Sequence, residues 1–371
     1  MSGVDGWPPV FRPCRDELAR RLSERPTLGA QVCVSRNGER LLDAAIGYAR
    51  PGIDMTPDSM LYLSCAVKPL IATAVCRLVD EGELAFGDRV ADHLPEFAAG
   101  GKQDVTVEDV LTHAGGFRAF RGPGPYAERF QDVLARVLST ELEEDWIPGR
   151  DQGYHQETGW YVLAALLEAK RAGDYAETVH ELVCAPLGMT STRLTMTPDV
   201  YGTVSGRLAV PSLADRTGIR RLPYLITRIA CATRVPPFGA YGPMSELARF
   251  YEQALARLRG AGGCFPLSRT VTRAMVESVR GPCPDLTWRY DCDYGRGFFR
   301  DLSRHWGYAD RWSASSFGMA GLIGHVCVGA DPESGVVVAA SFGGLTSGGQ
   351  DCGELMNQLY ACALAGTPGT P

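Results

Sequence analysis

Nowhere in the 371 residues is there an apolar run of the roughly 20 residues that a bilayer crossing needs. No basic stretch followed by an apolar core opens the chain, whose first residues read MSGVDGWPPVFRPC. The expectation is therefore a cytoplasmic protein with no membrane partner. Basic charge is not in excess either: 37 Lys and Arg against 43 Asp and Glu leave a net charge of −6, which gives nucleic acid no electrostatic footprint. The twelve cysteines show neither CxxC nor Cys/His ligand spacing, so no zinc site, other metal site or disulfide framework is expected. No cofactor is implied.

What is there is a globular composition, 45 % hydrophobic and 22 % charged, in a chain long enough for one large domain or two interleaved ones. Residues 15–24 read as a short amphipathic helix. The run 29–36 leads through Asn37-Gly38 into a second strand ending near Gly47, a strong hairpin signal. Near the other end, 322–329 and 336–342 read as strands and 350–363 as a closing helix. Helices are expected near 66–80, 106–112, 127–141, 158–171, 175–185, 244–258 and 268–279. Strands at both ends with helices between them predict an α+β fold. One antiparallel sheet is built from both chain ends, flanked by helices, with a large and mainly helical inserted subdomain. The sheet part is expected over 15–60 and 290–371, the helical part over 61–289, with a cleft between them.

The most informative phrase is Leu63-Ser64-Cys65-Ala66-Val67-Lys68-Pro69-Leu70, at the head of a run apolar on nearly every face. A thiol one helical turn from an ammonium reads as a nucleophile with a resident base or counter-charge. A helix N-terminus and a nearby cation both favour thiolate. Lys68 in the first turn of a buried helix would be a desolvated charge, which seldom persists without a purpose. The ordinary alternative is that Cys65 is one more small core residue.

Around CxxK, three phrases join it: Leu111-Thr112-His113-Ala114-Gly115-Gly116, Pro186-Leu187-Gly188-Met189-Thr190 and Gly242-Pro243-Met244-Ser245-Glu246-Leu247-Ala248-Arg249-Phe250. Together they resemble the penicillin-recognising serine hydrolases, which include class C β-lactamases, DD-peptidases and related esterases and acyltransferases. The resemblance runs from the hairpin at 29–47 to the final helix and implies the β-lactamase/transpeptidase-like fold. It also implies three catalytic motifs, and the chain departs from each. In SxxK, Cys65 fills the serine position and Lys68 is kept; Ser64 is left as a helix N-cap.

For Tyr-x-Asn, Pro148-Gly149 leads into Tyr154-His155-Gln156, so Tyr154 keeps the phenol for proton transfer while Gln156 replaces the asparagine as a substrate contact. His155 is unassigned, a surface residue by default. For Lys/His-x-Gly, the matching phrase is Phe317-Gly318-Met319-Ala320-Gly321-Leu322, so Met319 stands where the family holds a carboxylate with a cation. Penicillin-like and D-Ala-D-Ala substrates are thereby disfavoured. Gly321 is kept, and the resemblance makes the backbone N–H groups of Cys65 and Leu322 the oxyanion hole.

The implied reaction is acyl transfer through a thioester on Cys65 to a small-molecule amine or alcohol, in specialised metabolism. An acyl-CoA or acyl-carrier protein is the expected donor. A thioesterase or esterase is the second reading, and a non-catalytic binding protein that kept the pocket the third. The irregular stretch 201–240, with Arg216, Arg220, Arg221, Arg228 and Arg234, reads as a solvated loop with a short helix in it, or as a lid or a dock for an anionic carrier group.

Overall fold

A computed structural model describes residues 6–366 except 25–27, 120–121, 125, 216–217, 306–307, 309, 324–325 and 344–348. The strands in chain order are β1 Gly29–Arg36, β2 Glu39–Arg50, β3 Ile53–Asp54, β4 Leu61–Tyr62, β5 Ser212–Asp215, β6 Gly218–Arg221 and β7 Tyr241–Gly242. They continue as β8 Cys283–Pro284, β9 Asp291–Gly295, β10 Phe298–Arg300, β11 Phe317–Gly321, β12 Val326–Ala330 and β13 Val336–Ser341. Nine of them form one sheet in the order β3-β2-β1-β13-β12-β11-β10-β9-β8. Every pairing in it is antiparallel, and the first and last parts of the chain meet where β1 pairs with β13, Gln31 opposite Ser341 and Arg36 opposite Val336.

The central strands carry no polar face because helices cover both sides. All six residues of β13 and all five of β12 are buried. Strand alternation divides β13 between two cores: Val336, Val338 and Ala340 pack with the C-terminal helix Gly349–Ala365, through Leu355, Met356 and Leu359. Val337 and Ala339 face the opposite core, which holds Leu247, Tyr251 and Leu255 of the helix Met244–Arg259. The β1–β2 turn has φ of 52° at Asn37 and 83° at Gly38, the double positive φ that a two-residue hairpin requires.

Between the sheet strands lies the mainly helical part. Lys68–Asp80 and Thr158–Lys170 are buried along almost their whole lengths, which explains why neither sequence shows a polar face. Expected helices appear at Val107–Leu111, where Thr106 and Asp109 form a capping box, and at Phe130–Ser139, Tyr175–Val179, Met244–Arg259 and Arg269–Val276. Two expectations change. Leu322 lies in a turn, and the strand expected from it begins at Val326. The three strands between Cys283 and Arg300 extend the sheet from a region that shows little alternation because each is so short. Among the described residues no helix is long and apolar enough to cross a membrane.

Candidate active site

Cys65 sits in a tight 3-10 turn, Ser64–Val67, that runs directly into the helix beginning at Lys68. Pro69 is accommodated because the first turn needs no N–H from it. Ser64 is not the N-cap; it lies inside the turn at φ +52°, a left-handed conformation that swings the chain so that Cys65 heads the helix. Cys65 as a whole is 8 % exposed, whereas Lys68 is fully enclosed.

Lys68 Nζ donates to the backbone oxygen of Pro237 at 2.9 Å and lies 4.8 Å from the ring centre of Phe238, 5.4 Å from Trp160 and 5.6 Å from Tyr154. Burial pushes the ammonium's pKa down, opposed first by charge attraction and hydrogen bonding to Cys65 and then by the carboxylate of Glu157. The Tyr154 phenol is pushed well above its usual range by burial, and next by its interaction with Cys65. The thiol is thus the shared neighbour of an amine inclined to lose its proton and a phenol inclined to keep one.

Tyr154 is held by a scaffold that the sequence reading did not identify. His113, itself at φ +62°, accepts the His155 N–H on Nδ1 at 3.1 Å, and its carbonyl accepts the Gly153 N–H at 3.0 Å. His155 is buried rather than on the surface: its Nδ1 pairs with Gly153 O at 2.8 Å and its Nε2 accepts the Phe117 N–H at 3.2 Å. It is therefore neutral and carries its proton on Nδ1, and burial lowers its pKa to about 4. Asp285 accepts the N–H groups of Thr287 and Trp288, each at 2.8 Å, and so fixes Trp288 against the Tyr154 ring at 5.3 Å.

Met319 is fully buried in β11, in one hydrophobic cluster with Cys65 and Tyr154, with its sulfur 4.0 Å from the Tyr154 hydroxyl. An apolar thioether therefore occupies the place the resemblance gives to a cation. Two residues on, Gly321 is where β11 crosses the Ser64–Val67 turn: a side chain there would begin 3.0 Å from Ser64 Cβ and 3.2 Å from the Cys65 backbone nitrogen. Leu322 follows in the turn, its side chain 52 % exposed. Gln156, expected to contact substrate, is exposed; the next residue, Glu157, has an oxygen turned inward. No group of His, Cys, Asp and Glu among the described residues has the arrangement of a metal site.

Two of the phrases behind the resemblance meet where Arg249 donates to the Gly188 carbonyl at 2.9 Å, and the residues just after Thr190 are tied to the same helix. Glu246 accepts the N–H groups of Ser191 and Thr192 at 2.8 and 2.7 Å and the Thr192 hydroxyl at 2.6 Å.

With this geometry, residues 15–363 match the Beta-lactamase family, and the chain belongs to it. It is 34 % identical over 189 residues to esterase EstB of Burkholderia gladioli, covering 45 % of this chain and 47 % of that one. To the esterase/beta-lactamase LipL of Mycobacterium tuberculosis it is 27 % identical over 342 residues, 84 % of this chain and 76 % of LipL. The match thus spans less than half the length of EstB. A penicillin-binding protein homologue from Caulobacter crescentus superimposes with a TM-score of 0.78 at 25 % identity, over 98 % of this chain and 100 % of that one.

Proposed function

We propose that the chain is a cysteine-dependent acyltransferase. Cys65 takes an acyl group from a thioester donor, an acyl-CoA or an acyl-carrier protein, and passes it to an amine or alcohol of a small molecule. The observation that carries this reading is that Lys68 and Tyr154 both interact with the Cys65 thiol, with Gly321 so near that a side chain there would begin 3.2 Å from the Cys65 nitrogen.

In the first step the sulfur attacks the acyl carbon and the donor thiolate departs. The proton released by Cys65 passes through Lys68 and Tyr154 to that thiolate. The backbone N–H groups of Cys65 and Leu322 receive the developing oxyanion, a task indifferent to side-chain identity. In the second step the same pair takes the proton of the acceptor as it attacks the thioester, and the thiol is regenerated. Gln156 and Met319 border the acyl site in this scheme, and the thioether of Met319 suits an acyl group without a carboxylate.

A thioester yields to amines more readily than an oxoester does, which favours transfer over hydrolysis. The hydrolase reading keeps support from EstB and LipL, both named as esterases. Incubation with acyl thioesters followed by intact-protein mass spectrometry is expected to show one acyl adduct on Cys65. An adduct that persists in Cys65→Ala would overturn the assignment, and products formed with and without an added amine separate transfer from hydrolysis.

A further inference from the structure

Glu157 directly precedes the helix Thr158–Lys170, three residues after Tyr154. Its Oε2 is enclosed by protein and accepts no hydrogen bond. A carboxylate oxygen buried without a donor is costly, and such groups are retained where a cation faces them. The cation that acts on it is Lys68, with no direct ion pair between the two, and Tyr161, whose hydroxyl is also without a hydrogen bond, is its other titratable neighbour. Burial raises the Glu157 carboxyl's pKa and the Lys68 charge draws it back; Glu157 in turn favours the charged amine.

The groups that face Lys68 come from four elements: Cys65 from the preceding turn, Tyr154 from its loop, neutral His113, and the Pro237 carbonyl. Of these, only Cys65 can offer a negative charge comparable to that of Glu157, and it loses that capacity once its sulfur carries an acyl group. The Thr158–Lys170 helix also packs Trp160 against the amine, 5.4 Å from Nζ, so the helix that carries Glu157 forms part of the Lys68 cage.

We propose that Glu157 is the counter-ion of Lys68, a positioning residue that holds the amine in the cleft while Cys65 is acylated. The proposal rests on the acyl-thioester reading for its place in the cycle, but its test does not.

The test is the pH profile of Cys65 alkylation by iodoacetamide, followed peptide by peptide by mass spectrometry, in the wild type, Glu157→Gln and Glu157→Asp. Removing a negative charge lowers the proton affinity of both members of a coupled thiol and amine. The Glu157→Gln profile is therefore expected to move about one pH unit toward acid, which is a roughly tenfold faster reaction on the acid limb. Glu157→Asp, which keeps the charge one carbon further back, should fall between the two. If only the aspartate variant folds, its smaller acid shift carries the test.

Superimposable profiles in folded variants overturn the counter-ion. Acyl adducts on Cys65 without such a shift leave the proposed function standing and remove Glu157 from it. A shift without any acyl adduct keeps the Glu157–Lys68 pair and removes acyl transfer.

Discussion

Gly321 lies against the turn that holds Cys65, so close that a methyl group on Gly321 would stand 3.2 Å from the Cys65 nitrogen. The fit joins a strand from the C-terminal part of the chain to a helix from its first quarter. Gly321→Ala is expected to push β11 away and misplace the proposed oxyanion donors. Acylation of Cys65 should slow about 10²- to 10³-fold, with a stability cost of about 1–3 kcal/mol. Stopped-flow acylation beside a thermal melt checks this, and an alanine variant with full activity would remove Gly321 from the site.

The chemistry of the sulfur itself is tested by Cys65→Ser. Hydroxyl for thiol keeps the size of the side chain and the surrounding Lys68 and Tyr154 but forms an oxoester in place of a thioester. The variant should keep measurable hydrolysis of activated esters while transfer from a thioester donor to an amine falls at least about tenfold. Product ratios by liquid chromatography decide it. An unchanged transfer ratio would mean that the thioester is not what directs the acyl group.

Acid should loosen the Tyr154 scaffold. His155 titrates near 4 in the folded chain against an ordinary value of 6.5, so its contribution to stability is fully present above pH 6.5 and is lost as pH falls toward 4. For a fully buried ring the contribution is about 3 kcal/mol. Its Nε2 cannot accept the Phe117 N–H once protonated. Melting temperature recorded between pH 7 and 4 should fall, and fall less steeply in His155→Gln. Parallel curves would show that other groups govern acid unfolding.

Glu246→Ala leaves two backbone N–H groups and the Thr192 hydroxyl without their acceptor. A loss of about 2–4 kcal/mol is expected, measured by urea denaturation. Glu246→Gln, which accepts fewer of these bonds, should lie between.

How much of this the sequence carries depends on distance along the chain. Cys65 and Lys68 are one turn apart, so helix geometry alone brings them together. Tyr154 is reachable from Pro148-Gly149 because a turn at that point fixes the direction of a short loop. Glu157 was hidden because which of two adjacent residues faces inward depends on where the Thr158 helix begins. The sequence suggests a surface place for His155 because nothing local reveals that Phe117, 38 residues upstream, supplies its hydrogen bond. The strand expected from Leu322 begins later, at Val326, because the apolar run there serves a turn before it serves the sheet. Of the arginine stretch, Arg216 lies outside the described residues; Arg234 is tied to Glu168 and stacks 4.1 Å over Phe130, a structural role for that one member.

The pairing of β1 with β13 has a consequence for the chain during synthesis. Lys68 waits for Pro237, and Cys65 waits for Gly321, whose strand is fixed only when β12 and β13 close the sheet onto residues made some three hundred positions earlier. A ribosome-bound chain that has not yet completed β13 therefore carries Cys65 without the strand that lies against it in the finished fold.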